Sequence, residues 1–346
     1  MENLDLNVFD YTLPEGLIAS APAERRDASR LLVLDRASGR VAHKTFADLP
    51  DLLRAGDCVV LNRTKVLKAR IVGKKRSGGR AELLLLSPHD GTPRQWRALA
   101  RGLATGSSLE LAGGLRCEVM GKTPEGEWLC SFPTDNLLSY LEVHGAMPLP
   151  PYILKQRKRL GAACPDDERY QTVYAQVPGS VAAPTAGLHF TDEVLKRLKA
   201  KGVDVAFVTL HIGWGTFRPI LTQNILDHKM LPEAFEIDSA TASQILMARR
   251  RGGRVVSVGT STTRALETAS KGERLAAMKG MADIFIYPGH RYRAVDALVT
   301  NFHLPKSTPL LLAAAFAGPD KLLPAYQEAI AQKYRFYSYG DAMLVV

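Results

Sequence analysis

Between Val66 and Pro133, apolar and polar residues alternate in six short stretches: VLKARIVGKK, RAELLLLSPH, RQWRALAR, SSLEL, RCEVMGKT and EWLCSFP. A period of two marks strands with one buried face. Turn signals separate them at Ser77-Gly78-Gly79, Gly91-Thr92-Pro93, Gly106, Gly113-Gly114 and Glu125-Gly126. Short strands at regular spacing, with little helical period, predict a small antiparallel barrel. DNLLSYLEV then reads as a helix, with Thr134 as N-cap and Gly145 beyond its end. The proline-dense MPLPPYI, Met147 to Ile153, reads as a stiff linker.

Beyond it the pattern switches between strand and helix periods, which predicts α/β architecture. Strands are expected at VDVAFVTL, RVVSVG, ADIFIYP and ALVTNFHL. The best-specified helix follows Thr191. Phe190 and Leu195 are spaced for a hydrophobic staple, Asp192 and Glu193 fall in the first turn, and Gly202 stops the helix. A further helix opens at STPLLLAAAFA, where Ser307 or Thr308 caps and Pro309 takes the first helical position. The expected fold class is therefore α/β. A mixed α/β main domain, residues 1–65 and 150–346, is interrupted by an inserted small antiparallel β-barrel, residues 66–149.

The chain of 346 residues is long enough for two domains, and its 46% hydrophobic and 23% charged residues are those of a soluble globular protein. The longest apolar run, Leu310 to Ala317, is far short of the ~20 residues that a membrane span needs. The acidic opening MENLDLNVFD lacks the apolar core of a secretory leader. Cys58, Cys117, Cys130 and Cys164 are widely separated and have no histidine at ligand spacing. That pattern argues against zinc, an iron–sulfur cluster or a disulfide framework, so a cytoplasmic setting and no metal are expected.

The net charge of +10 is clustered. Eight basic residues and no acidic one lie between Arg63 and Arg80, KQRKR spans Lys155 to Arg159, and RRRGGR spans Arg249 to Arg254. Such blocks raise the local potential and favour a polyanion, RNA or DNA, over a neutral partner.

Tyr170 to Thr191, YQTVYAQVPGSVAAPTAGLHFT, carries no formal charge yet holds many neutral hydrogen-bonding groups. Ordering a long uncharged segment punctuated by Gly and Pro costs backbone entropy that few apolar contacts offset. A loop that wraps a polar ligand explains it better than a connector. Each late strand also ends in a polar loop: HIGWGTF, GTSTTRALE, PGHRY and NFHLPKST. In a largely parallel sheet these loops would share one edge and form a ligand crevice. GTSTTR lacks the ending of a phosphate-cradling Walker loop, but its hydroxyls and amides at a helix N-terminus suit a carboxylate or ribose oxygen. His189, His211, His290 and His303 all fall in these loops.

At the level of longer motifs, YQTVYA, GSVAAPTAGLHFT, DALVTNFHLPKSTP and YRFYSYGDAM resemble the S-adenosylmethionine:tRNA ribosyltransferase-isomerase family. FDYTLPEGLIA, ERRDASRLLVLDR, NRTKVLKARIVG, LPPYI, HIGWGTF and DIFIYPG extend the similarity over nearly the whole chain. Two positions depart from the pattern: Leu231-Pro232 follows DHKM, and Trp214 stands where a small residue is expected.

The resemblance implies transfer and rearrangement of the ribosyl part of S-adenosylmethionine onto 7-aminomethyl-7-deazaguanine at the tRNA wobble position. Adenine and methionine leave and epoxyqueuosine remains. Its implied partners are S-adenosylmethionine, as co-substrate rather than cofactor, and a tRNA with a GUN-type anticodon; a monomer is expected. The sulfonium acidifies the adjacent ribose carbon, so the reaction needs a base, a proton donor for adenine and a dry pocket. His189 and His303, then Asp296 and Glu233, are the candidates for base and acid. Thr185, Gly187, Thr260, Ser261, Thr262 and Arg264 are the candidate contacts for the co-substrate. Lys65, Arg70, Lys74, Lys75, Lys155 and Arg159 are the candidate phosphate contacts, and the aromatic residues of YRFYSYG could stack on bases. An S-adenosylmethionine-dependent RNA methyltransferase and a non-catalytic RNA-binding protein are the alternatives.

Overall fold

The computed structural model describes residues 5–161, 164–217, 219–270, 272 and 275–346. The chain opens with β1 (Arg30–Leu34), β2 (Val41–Thr45), β3 (Cys58–Asn62) and β4 (Thr64–Val66). It continues with β5 (Arg70–Lys75), β6 (Arg80–His89), β7 (Thr92–Ala100), β8 (Ser108–Leu111), β9 (Arg116–Lys122) and β10 (Trp128–Ser131). The six strands β5 to β10 close into an antiparallel barrel in the order β10-β7-β6-β5-β8-β9. Alternation is the cause. Ile71, Leu83, Leu85, Ala98, Leu109, Cys117 and Val119 point inward and are buried, while most of their chain neighbours are more exposed. Closure leaves no unpaired edge. Gly73 is required where β5 meets β8, because a Cβ there would sit 2.7 Å from Leu111 Cδ2.

The helix Leu137–His144 plugs the barrel with Leu137 and Leu141. Its N-cap position is Asn136 rather than Thr134, whose hydroxyl accepts from the Asn136 amide at 3.1 Å one step earlier. MPLPPYI is not a linker. A helix, Pro151–Leu160, starts inside it, since a proline at the first helical position gives up no intrahelical bond.

The remaining strands are β11 (Val177–Ser180), β12 (Asp204–Leu210), β13 (Glu233–Ile237), β14 (Val255–Val258), β15 (Met278–Ala282), β16 (Ala297–Asn301) and β17 (Ala342–Val345). Nine strands form one mixed sheet in the order β15-β13-β12-β3-β14-β16-β17-β1-β2, and β4 pairs with β11. Its centre, β12-β3-β14-β16, is parallel. Both faces of these strands are covered: Val59 and Leu61 face one apolar cluster, Cys58 and Val60 the other. The sheet is thus a mixed α/β layer into which the barrel is inserted between β4 and β11.

Helix Asp192–Ala200 forms as its signals imply, with Thr191 Oγ1 accepting from the Val194 amide at 3.2 Å. Ser307 caps helix Thr308–Ala317, so Pro309 falls at its second residue rather than its first. ADIFIYP forms no strand beyond Ala282. The ladder ends there, and Ile284 to Ile286 bury themselves against a crevice instead of pairing. No described helix is long and apolar enough to cross a membrane.

Candidate active site

Because β12, β3, β14 and β16 run parallel, their C-terminal ends converge on one edge of the sheet. A crevice opens there. Asn62, at the end of β3, pins the strand ends together: its Oδ1 accepts from the Leu210 amide at 3.1 Å, and its Nδ2 donates to the Leu210 carbonyl at 2.9 Å and towards Ser261 Oγ at 3.4 Å.

Gly259 has φ 87°, a region L side chains avoid, and this turn starts helix Thr260–Ala269 at the crevice. Thr260 and Ser261 of its first turn line the space, where amides and hydroxyls favour an anionic or hydroxylic group. Thr185 also lines the space. Thr262 does not reach the crevice: it is fully buried and its hydroxyl donates to the Val258 carbonyl at 2.6 Å. Gly187 is also outside it. A Cβ at Gly187 would lie 2.0 Å from the Tyr174 hydroxyl, so this glycine serves packing.

Glu233 and Arg264 form a buried ion pair in the crevice wall. Glu233 Oε1 also accepts from the Gly213 amide at 2.8 Å. Arg264 spends its other donors on the carbonyls of Ile284, at 3.2 Å, and Ala282, at 2.7 Å. The guanidinium therefore orients Glu233 more than it offers donors to a ligand.

His303 lines the crevice and its Nε2 lies 2.6 Å from Thr300 Oγ1. Burial pushes its pKa down to about 3, so the ring is neutral near pH 7. His189 is buried one layer behind. Its Nδ1 meets Ser29 Oγ at 2.7 Å and its Nε2 meets Asn301 Nδ2 at 3.2 Å; Asn301 itself lines the crevice. Burial, then the charges of Arg335 and Arg26, bring His189 down to about 3. Asp296 is elsewhere. It precedes β16 at the opposite edge of the sheet, accepting from the Val255 amide at 2.9 Å and pairing with Arg249 at 3.3 Å.

Tyr152 was not singled out in the sequence, and Tyr337 was read there only as an aromatic that could stack on a base. Tyr152 comes from the helix read as a linker, and its hydroxyl bonds Ser338. Tyr337 adopts φ 72°, a strained conformation for an aromatic residue, held by Asn301 Nδ2 on its carbonyl at 3.2 Å. Tyr334, Phe336, Tyr337 and Tyr339 are all buried, which removes them from exposed base stacking. Asn301 did carry a signal, being a polar residue that ends an otherwise apolar strand. PGHRY does not line the crevice, and His290 pairs with Glu267 instead. His211 sits against Gly179 and Thr64, outside the crevice.

Both departures are accommodated nearby. Trp214 Nε1 donates to Glu127 Oε1 of the barrel at 2.8 Å and does not line the crevice, and Leu231 packs over Gly215.

Of the basic candidates, Lys65 pairs with Glu142 at 3.0 Å, Arg70 with Glu82 at 3.5 Å, and Lys155 and Arg159 with Glu15 at 3.2 and 3.1 Å. Lys75 donates to the Gly102 carbonyl, while Lys74 is exposed and makes no ion pair among the described residues. RRRGGR is largely neutralised: Arg249, Arg251 and Arg254 pair with Asp296, Asp204 and Asp57 at the N-terminal ends of the parallel strands. No group of three or more metal-binding side chains is assembled among the described residues.

The family described as "Queuosine biosynthesis protein" matches residues 6–345. S-adenosylmethionine:tRNA ribosyltransferase-isomerase of Staphylococcus saprophyticus is 47% identical over 350 residues, covering 99% of this chain and 100% of that protein. The enzyme of the same name from Chlorobaculum parvum is 49% identical over 342 residues, covering 97% and 98%. A crystal structure of S-adenosylmethionine tRNA ribosyltransferase from Thermotoga maritima is similar at TM-score 0.57 and 35% identity, over 98% of this chain and 100% of that one. A likeness running through both sheet and barrel makes the protein an enzyme of the transferase class. The chain belongs to the S-adenosylmethionine:tRNA ribosyltransferase-isomerase family of queuosine biosynthesis.

Proposed function

We propose that the protein transfers and isomerises the ribosyl moiety of S-adenosylmethionine onto 7-aminomethyl-7-deazaguanine at the wobble position of a GUN-type tRNA anticodon. Epoxyqueuosine forms, and adenine and methionine leave. S-adenosylmethionine is consumed as co-substrate, and the enzyme works as a cytoplasmic monomer without a separate cofactor. The observation that carries this reading is the crevice at the parallel strand ends, where Glu233 and the neutral ring of His303 share one largely apolar wall system with Thr185, Thr260 and Ser261.

The sulfonium acidifies the neighbouring ribose carbon, and a base removes that proton so that adenine is expelled. Glu233 and His303 are the groups lining the space with the chemistry of base and acid. The exocyclic amine then attacks the sugar, and methionine departs as the epoxide closes. Apolar walls from Ala182, Ile212, Phe302 and Leu312 support exclusion of water from the intermediate. His189 acts through Asn301, as a positioning residue. The wobble nucleotide leaves its stack to enter. Lys74 and Lys75, with the other barrel and helix cations, meet the tRNA backbone.

The test is incubation with S-adenosylmethionine and tRNA bearing the aminomethyl base, with tRNA lacking it as control. Adenine released only with the modified tRNA is expected. S-adenosylhomocysteine instead would make the protein a methyltransferase, and neither product despite RNA binding would leave a reader.

A further inference from the structure

A second, smaller concavity lies directly behind the crevice. It is a small recess lined by Arg26, Ser29, Arg169, His189 and Tyr339, and Ser338 belongs to the walls of both spaces. Two guanidiniums line it with no carboxylate to balance them. Arg26 donates to the carbonyls of Leu188 and Glu168 at 3.2 and 2.9 Å. Arg169 donates to those of Glu24 and Ala23 at 3.1 and 2.6 Å, and its Nε is buried with no hydrogen-bond partner.

The acids nearby are committed elsewhere. Asp166 is held by Arg157 and by the Tyr339 hydroxyl and Asp341 by Arg335, while Asp27 is held by Arg25 and Thr191 through Oδ2 only, its buried Oδ1 having no hydrogen-bond partner. The exposed Glu168 carboxylate favours the charge on Arg26 but makes no ion pair with it among the described residues. Burial, and then repulsion from Arg169, hold Arg26 below the usual guanidinium range. Two like charges that share a partly dry recess, with a donor left over, are stabilised by an anion that accepts from both. Phosphate matches the fork geometry of two arginines.

We propose that Arg26 and Arg169 form an anion site that takes one phosphate group, and that in the tRNA complex it holds a phosphodiester flanking the nucleotide in the crevice. The RNA assignment rests on the function proposed above; the anion site does not. Ser338 lies in the walls of both spaces, so a nucleotide inserted in one would carry its backbone near the other.

The experiment has two arms and uses the full chain with Arg169→Lys and Arg169→Gln. Both variants lose the bonds to Ala23 and Glu24, but only the lysine keeps the charge. In the first arm, thermal unfolding is followed against inorganic phosphate, with chloride at matched ionic strength. Phosphate should raise the Tm of the wild type and of Arg169→Lys, and leave Arg169→Gln unmoved. Equal responses in wild type and Arg169→Gln would overturn the site, as would equal loss in both variants, which marks a purely structural arginine.

In the second arm, adenine release is measured with the modified tRNA. Arg169→Gln should raise KM for tRNA about tenfold and reduce the salt slope of tRNA binding by about 1, with KM for S-adenosylmethionine unchanged. An unchanged KM for tRNA would overturn the RNA assignment and leave a pocket for free phosphate. A raised KM for S-adenosylmethionine would transfer the site to its carboxylate and equally overturn that assignment. Absence of adenine release by the wild type, with the first arm as expected, would count against the transferase reading while supporting the anion site.

Discussion

The Asn301 side-chain amide donates to Nε2 of His189 at 3.2 Å, so the second ring nitrogen, Nδ1, carries the proton and donates to Ser29 Oγ at 2.7 Å. The fold holds this ring neutral: its pKa falls from 6.5 to about 3 through burial and the nearby arginine charges. Between those values the unfolded chain binds a proton that the folded chain does not. Stability from this group is therefore complete above about pH 6.5 and is lost as pH falls towards 3, at about 1.4 kcal/mol per pH unit. His189→Gln should flatten the acid limb of stability by about one proton in urea denaturation at a series of pH values. An unchanged slope would refute the neutral buried ring.

Glu233 and Arg264 are each less than a tenth exposed and neutralise one another. Removing either partner leaves a buried charge uncompensated, at a cost of about 3–5 kcal/mol. Glu233→Gln and Arg264→Met should each destabilise the protein strongly, and the double variant less than the sum of the two. A double-mutant cycle by chemical denaturation measures this coupling, and additive losses would show that the pair is not an energetic unit.

Gly187→Ala should cost about 1–3 kcal/mol through overpacking against the Tyr174 hydroxyl. Tyr174→Phe in the same chain should return most of that loss, because the hydroxyl is the closest atom and has no hydrogen-bond partner to forfeit. Thermal unfolding of both variants decides. No recovery would locate the requirement for glycine in the backbone instead.

Asp296 and His303 separate stability from turnover. Asp296→Asn, at the far edge of the sheet, should lower stability by about 1–2 kcal/mol with the rate of adenine release unchanged. His303→Gln, in the crevice, should slow release by about a hundredfold or more. A matching rate loss for Asp296→Asn would contradict the placement of that carboxylate.

The barrel was legible because each strand carries its own alternation and turn, so local pattern and final pairing agree. The helix after Thr191 was legible for the same reason, with cap, charges and stop adjacent in sequence. MPLPPYI and ADIFIYP misled because their surroundings decide. The first places proline where a helix can begin, and the second spends its apolar residues on a crevice instead of a ladder. Loop chemistry located Thr185, Thr260, Ser261 and His303 at the crevice but also drew in Gly187 and Thr262, whose roles are packing and backbone bonding. Tyr152 was invisible as a wall residue, since an aromatic side chain reads as core until the space beside it is known, and Tyr337 was read as a stacking residue and not as part of the wall. The surplus of basic residues overstated the polyanion surface, because the acids that offset RRRGGR lie about 40 to 200 positions away in the chain.

The nine-stranded sheet joins partners from far apart in the chain: Leu31 lies beside Ala342, and Val59 beside both Val205 and Val256. The barrel is stitched from neighbours in sequence. By loop-closure entropy the barrel should be the earlier unit to assemble and the sheet the later one. The crevice exists only where the parallel strand ends have met, so it is absent until the last and most distant pairings form. Acquisition of binding competence should therefore coincide with the final cooperative step of folding, and a partly folded chain would carry a finished barrel with no place to hold its substrate.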